Sequence, residues 1–172
     1  MNIEKILRRG NREYVGSIDK SNEKQQLLEK LSHGQTPFAL IITCSDSRVV
    51  PEQIFSCSIG DLFVIRTAGN VVNEGELASI EYGIEHLNIK YILVLAHTHC
   101  GAVHAAIHDE QGKYLSPILN GIKKAINDEK DEMRAAIKNA TSQMRFIKEK
   151  FPGFSGDVKC ALYDIETGEV IF

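Results

Sequence analysis

The chain has no excess of positive charge: 20 Lys and Arg residues stand against 23 Asp and Glu, a formal net charge of −3. Nucleic-acid binders usually carry a basic patch or stripe, so this balance argues against a nucleic-acid partner. No apolar run approaches the ~18–20 residues that a membrane-spanning helix needs, so no membrane partner is expected either. The opening residues, Met1 to Gly10, carry Lys5, Arg8 and Arg9 but no apolar core followed by small residues. That is not a secretory signal, and the expected location is the cytoplasm. No Gly-x-Gly-x-x-Gly or phosphate-loop pattern follows a strand, which weighs against a nucleotide-binding domain. Internal repeats, low-complexity tracts and linkers are also missing. Cysteine is scarce, with four residues, and in a reducing compartment these are free or metal-bound more often than paired.

What remains is a chain of 172 residues with 43% hydrophobic content, enough for one domain with a real core. Helical periodicity runs over residues 2–15, with Ile3, Ile6 and Leu7 on one face, and over 21–32, with Leu27, Leu28 and Leu31 on one face. Ser21 is the expected N-cap of the second helix, and Pro37 ends the helical region. Apolar runs at 38–43, 62–65 and 91–96 read as buried strands. Leu77, Ile80, Ile84 and Leu87 form one helical stripe within 74–87. Further helices are expected at 101–108, 115–126 and 132–150, and a closing hairpin at 158–164 and 169–172 turns through Glu166-Thr167-Gly168. Strand and helix alternate, so the expected fold class is α/β, a mainly parallel sheet flanked by helices. The whole chain, 1–172, is read as one α/β domain in which residues 1–33 form a helical arm that packs on a partner subunit.

Two short runs carry the chemistry: Cys44-Ser45-Asp46-Ser47-Arg48 and His97-Thr98-His99-Cys100-Gly101. Each closes an apolar strand, and ligand crevices in open α/β sheets lie outside the carboxyl ends of the strands. Two parallel strands would therefore bring both runs to one edge. Taken singly, Cys44, Cys100 and His97 each read as a buried structural residue. Together they offer two thiolates and an imidazole, a set that suits Zn2+ with a fourth position left open. Arg48 can clamp Asp46 with a bidentate pair and keep its carboxylate charged. His104 and His108 sit four apart on one helix and read as a solvated face or a proton relay. Cys57 and Cys160 have no comparable setting.

Cys-Ser-Asp-Ser-Arg followed by His-x-x-Cys-Gly resembles the β-class carbonic anhydrases. The resemblance extends to 34–37, to 60–70, to 80–82, to Tyr163-Asp164 and to Thr167-Gly168. It implies the β-carbonic-anhydrase fold and one Zn2+ per chain on Cys44, His97 and Cys100, with Asp46 and Arg48 as the catalytic dyad. Gln35 and the amide of Gly101 would bind substrate, and Phe63, Ala68 and Tyr82 would wall an apolar carbon dioxide pocket. The implied reaction is reversible hydration of carbon dioxide to bicarbonate and a proton by zinc-bound hydroxide, in a homodimer or an assembly of dimers. Ala96, Thr67, His99 and Ala68 depart from the residues most common at their positions, and Ala68 could widen the pocket. Two alternatives stay open: hydrolysis of carbonyl sulfide or carbon disulfide on the same scaffold, and a noncatalytic zinc protein in which Asp46 closes the site.

Overall fold

The computed structural model describes residues 2–18 and 20–172. They fall into two units, residues 1–35 and 36–172. The first unit holds helices α1 (Ile3–Ile18) and α2 (Asn22–Leu31), neither with a buried residue. Ser21 caps α2 as its sequence predicts, the side-chain oxygen accepting from the Lys24 amide at 3.2 Å. The apolar stripe of α1 faces outward, with Leu7 67% and Ile3 54% exposed.

The second unit is an α/β sheet domain. In chain order it comprises β1 (Ala39–Cys44), α3 (Pro51–Ile54), β2 (Leu62–Thr67), a 3-10 turn (Ala68–Asn70), α4 (Glu74–Glu85) and β3 (Tyr91–His97). There follow α5 (Gly101–Ile107), α6 (Ser116–Ile126), α7 (Glu132–Lys150), β4 (Asp157–Tyr163) and β5 (Val170–Ile171). The sheet order is β2-β1-β3-β4-β5, with β5 alone antiparallel, on β4. From β1 the chain steps outward to β2, then returns to place β3 on the opposite side of β1. The gap between β1 and β3 is thus the switch point where doubly wound sheets form their crevice.

Every residue of β1 is buried, as is every residue of β3 after Tyr91. Their side chains alternate between two apolar layers. Leu40, Ile42, Cys44, Ile92, Val94 and Ala96 belong to the layer shared with buried residues of α4, α5, α6 and α7. Ala39, Ile41, Leu93 and Leu95 belong to the other, with Val49, Ile54 and Phe55. Thr43 is fully buried, and its hydroxyl donates to the Leu95 carbonyl at 2.9 Å, tying the ends of β1 and β3 together. The sequence-based boundaries move by at most three residues, and that of the helix at 132–150 does not move. The short turn at 68–70 carries no helical periodicity and was not foreseen; it depends on Gly69 at φ +64°, a left-handed conformation that favours glycine.

Candidate metal centre

Parallel pairing sets Thr43 opposite Leu95, so Cys44 and His97 emerge at the same end of adjacent strands although 53 residues separate them. Cys100 is the N-cap residue of α5, which starts immediately after the β3 turn. The donor atoms of Cys44, His97 and Cys100 all lie within 4.8 Å of one another, and all three residues are buried.

Their chemistry fits a metal ion. The two sulfurs are 3.9 Å apart, close to the roughly 3.8 Å expected of two thiolates each ~2.3 Å from a tetrahedral zinc. The His97 Nδ1 lies 2.8 Å from the Thr98 carbonyl oxygen, which can only accept, so the ring proton sits on Nδ1. Nε2 therefore carries a bare lone pair, and it is buried with no hydrogen-bond partner. Such an orphaned atom is costly in a protein interior unless an ion or another group completes it.

The two sulfurs are within hydrogen-bond reach of each other, so their ionisations are linked. Cys44 is pulled down, chiefly by the hydrogen bond from the Cys100 thiol and with burial opposing, while the Asp46 and Gly69 amides also face its sulfur. Cys100 is pushed up by the same hydrogen bond and by burial. The Gly69 amide donates to the Cys44 sulfur at 3.3 Å.

Asp46 stands beside the three donors but outside their group. Arg48 holds it from both sides: Nε donates to Oδ1 at 2.9 Å and Nη2 to Oδ2 at 2.7 Å, while the Arg48 amide donates to Oδ1 at 3.0 Å. These bonds keep the Asp46 carboxyl well below the usual carboxylate range, although burial opposes them. Nη2 also donates to the His99 carbonyl at 3.1 Å, linking the dyad to the turn that carries Cys100.

The remaining candidates are placed as follows. Gly101 is the first residue of α5. Phe63 on β2 and Tyr82 on α4 come together with ring centroids 6.2 Å apart. Ala68 precedes the glycine whose amide reaches Cys44. Gln35 ends the N-terminal unit. His99 pairs with Glu166 at 3.0 Å, and exposed His104 pairs with Glu132 at 2.7 Å.

Sequence reasoning missed Arg66, whose Nε donates to the Cys44 carbonyl at 3.1 Å and whose Nη2 donates to the Asp46 carbonyl at 2.6 Å. It also missed Gly69, Asn139 and Gln143. For Gln143 a signal existed: it falls on the stripe of Ala136, Ala140 and Ile147 that α7 buries, where a polar residue calls for a partner.

With this geometry in place, comparison with known proteins is decisive. The family model described as "Carbonic anhydrase" matches residues 39–170. The chain belongs to the β-class carbonic anhydrases. It is 33% identical over 167 residues to "Carbonic anhydrase" of Emericella nidulans, covering 83% of this chain and 72% of that protein. It is 44% identical over 104 residues to "Carbonic anhydrase 2" of Mycobacterium tuberculosis, covering 60% of this chain and 50% of that one, so it spans about half the length of that relative. Among solved structures, the β-carbonic anhydrase CcaA superposes with a TM-score of 0.82 at 29% identity, covering 98% of this chain and 86% of that chain. A β-carbonic anhydrase of Sordaria macrospora, described as tetrameric, matches with a TM-score of 0.82 at 27% identity over 99% and 96% of the two chains. The β-carbonic-anhydrase fold expected from the two cysteine-containing runs is the one found, and the Cys44, His97 and Cys100 donors are those that can hold this family's zinc.

Proposed function

We propose that the protein catalyses reversible hydration of carbon dioxide to bicarbonate and a proton, with Cys44, His97 and Cys100 as zinc ligands. The observation that carries this reading is Asp46: both carboxylate oxygens are held by Arg48, leaving three protein donors and an open fourth position. Structural zinc is normally closed by four protein ligands, whereas catalytic sites keep a position free. A noncatalytic zinc role is therefore the weaker reading.

When bound, zinc supplies the Lewis acidity that makes hydroxide available near neutral pH. Two thiolates neutralise a divalent ion, so the chain must contribute more than the ligands. Asp46 Oδ2 accepts a single bond from Arg48 and retains a lone pair. It can accept a hydrogen bond from the attacking oxygen, which would leave that oxygen's lone pair pointing at the carbon. Arg48 keeps the carboxylate ionised and in place. The Gly101 amide, at the open N-terminal turn of α5, faces the substrate oxygen on which charge develops. Phe63, Ala68 and Tyr82 exclude water around the small apolar gas. The proton finally leaves to buffer.

We read the protein as a single functional domain working as a homodimer or an assembly of dimers. The outward apolar stripe of α1 supports that, as do exposed Phe38 and Phe172 beside an apolar cavity of about 430 Å³ lined also by Phe55, Leu62 and Tyr91. The tetrameric description of the Sordaria macrospora relative points the same way. No helix among the described residues is long and apolar enough to cross a membrane. The four free cysteines suit a reducing cytoplasm.

The test is turnover of carbon dioxide and of carbonyl sulfide by one zinc-loaded preparation. Carbon dioxide hydration well above the sulfur-gas rate supports the proposal. The reverse ranking replaces it with a sulfur-gas hydrolase.

A further inference from the structure

Helix α7 buries two amide side chains, Asn139 fully and Gln143 at 6% exposure, on a face otherwise made of Ala135, Ala136, Ala140 and Ile147. Burying an amide in an apolar layer is unfavourable unless its hydrogen bonds are made. Here they are made: two go to one segment, and a third joins the pair. Gln143 Oε1 accepts from the Val72 amide at 3.1 Å, and Gln143 Nε2 donates to Asn139 Oδ1 at 3.2 Å. Asn139 Nδ2 donates to the Gly69 carbonyl at 2.8 Å. The pair therefore grips the segment 69–72 at both ends.

That segment is the one whose first amide reaches a metal ligand, Gly69 N–H to Cys44 Sγ at 3.3 Å. Gly69 has no Cβ and sits at φ +64°, so its own backbone is permissive. A permissive residue does not aim its N–H unaided. Anchoring its carbonyl on Asn139, and the chain three residues on through Gln143, holds the Gly69–Asn70 peptide and the chain after it, and so limits how Gly69 can turn its N–H.

We propose that Asn139 and Gln143 are positioning residues for the metal centre: through the Gly69–Val72 segment they hold an N–H on the Cys44 sulfur. The inference rests on the zinc reading of Cys44, His97 and Cys100. An N–H directed at a coordinating thiolate withdraws electron density from the sulfur. In a site with two thiolates this offsets part of the charge donated to the ion and preserves its Lewis acidity. Hydrogen-bond partners of ligands commonly tune metal sites in this way. The distance from Asn139 to Cys44 in sequence, and the position of Asn139 in a charge-rich helix, hide the connection from the sequence.

Cobalt(II) replaces zinc at thiolate sites and reports on sulfur through a sulfur-to-metal charge-transfer band. The experiment compares the full-length cobalt(II)-loaded parent with Asn139→Ala, Gln143→Glu and, as a control, Ile147→Val, a fully buried site on the same helix. Gln143→Glu keeps an acceptor for Val72 and loses the donor to Asn139. The expected result is a band moved to longer wavelength in Asn139→Ala, and by a smaller step in Gln143→Glu, with metal affinity weaker by roughly 10–100-fold in Asn139→Ala. Ile147→Val lowers Tm and leaves the band in place. A band unmoved in folded Asn139→Ala overturns the proposal; should that variant not fold, an unmoved band in Gln143→Glu overturns it equally. A parent without the band removes the metal reading and this inference together. A parent with the band shift in its variants but no carbon dioxide hydration refutes the proposed function and leaves the positioning role standing.

Discussion

Cys44 accepts from the Gly69 amide, lies 3.9 Å from the Cys100 sulfur and stands beside an orphaned imidazole nitrogen. Removing that sulfur strips a thiolate from a three-donor site. Cys44→Ser is expected to weaken metal binding by more than the roughly 10–100-fold that altering a ligand's hydrogen-bond partner costs. Metal content after dialysis, with the melting temperature, checks this. Asp46→Asn leaves all three donors intact but replaces a carboxylate acceptor with an amide. It is expected to retain metal and lose about 10²–10⁴-fold in turnover; an unchanged rate at full metal content would remove Asp46 from the mechanism. Gly69→Ala meets two obstacles, an unfavourable left-handed φ of about 1–2 kcal/mol and a new methyl 2.7 Å from Ile122 Cδ1. Loss of stability in urea unfolding should accompany weaker metal binding. At this scale the cluster of Cys44, His97 and Cys100 and the Asp46–Arg48 ion pair were readable because they lie in two short runs, each closing an apolar strand. Arg66, Gly69, Asn139 and Gln143 were not, because their partners are fixed by tertiary placement of segments 20 to 71 residues away.

Among the elements, β1 and β3 were legible because their residues are buried on both faces, and continuous Ile, Leu and Val runs are what such strands require. The stripe of α4 was legible from its period and the closing hairpin from its Gly-containing turn, and β4 and β5 pair antiparallel as expected. Charges at the start of α7 are tied together by hydrogen bonds. Glu129 accepts from the Lys130 and Asp131 amides and from Lys138 Nζ at 3.0 Å. Its carboxyl is lowered from an ordinary 4.5 to about 2, first by Lys138 and then by the Asp131 amide. A carboxyl depressed in the folded state stabilises above its unfolded value and loses that contribution as pH falls toward its folded one. Glu129→Gln should therefore lower Tm at neutral pH, and the gap from the parent should close between about pH 4.5 and pH 2. A gap that stayed constant through that window would assign the residue a role independent of its charge.

For the molecule as a whole, the fold class and the three-donor cluster were legible in the sequence, while assembly is the property least visible in it. Amphipathic α1 offers Ile3, Leu7 and Val15 to solvent, each about half exposed or more. Removing residues 1–15 is expected to reduce the oligomer seen by light scattering; an unchanged mass would take α1 out of the proposed dimer contact. The central claim, that three buried donors and an arginine-locked carboxylate hydrate carbon dioxide, is tested most directly by stopped-flow hydration with zinc-loaded protein between about pH 6.5 and 9. The account predicts a rate that rises with pH as the nucleophile ionises. A fully zinc-loaded protein with no rate at any pH would contradict it.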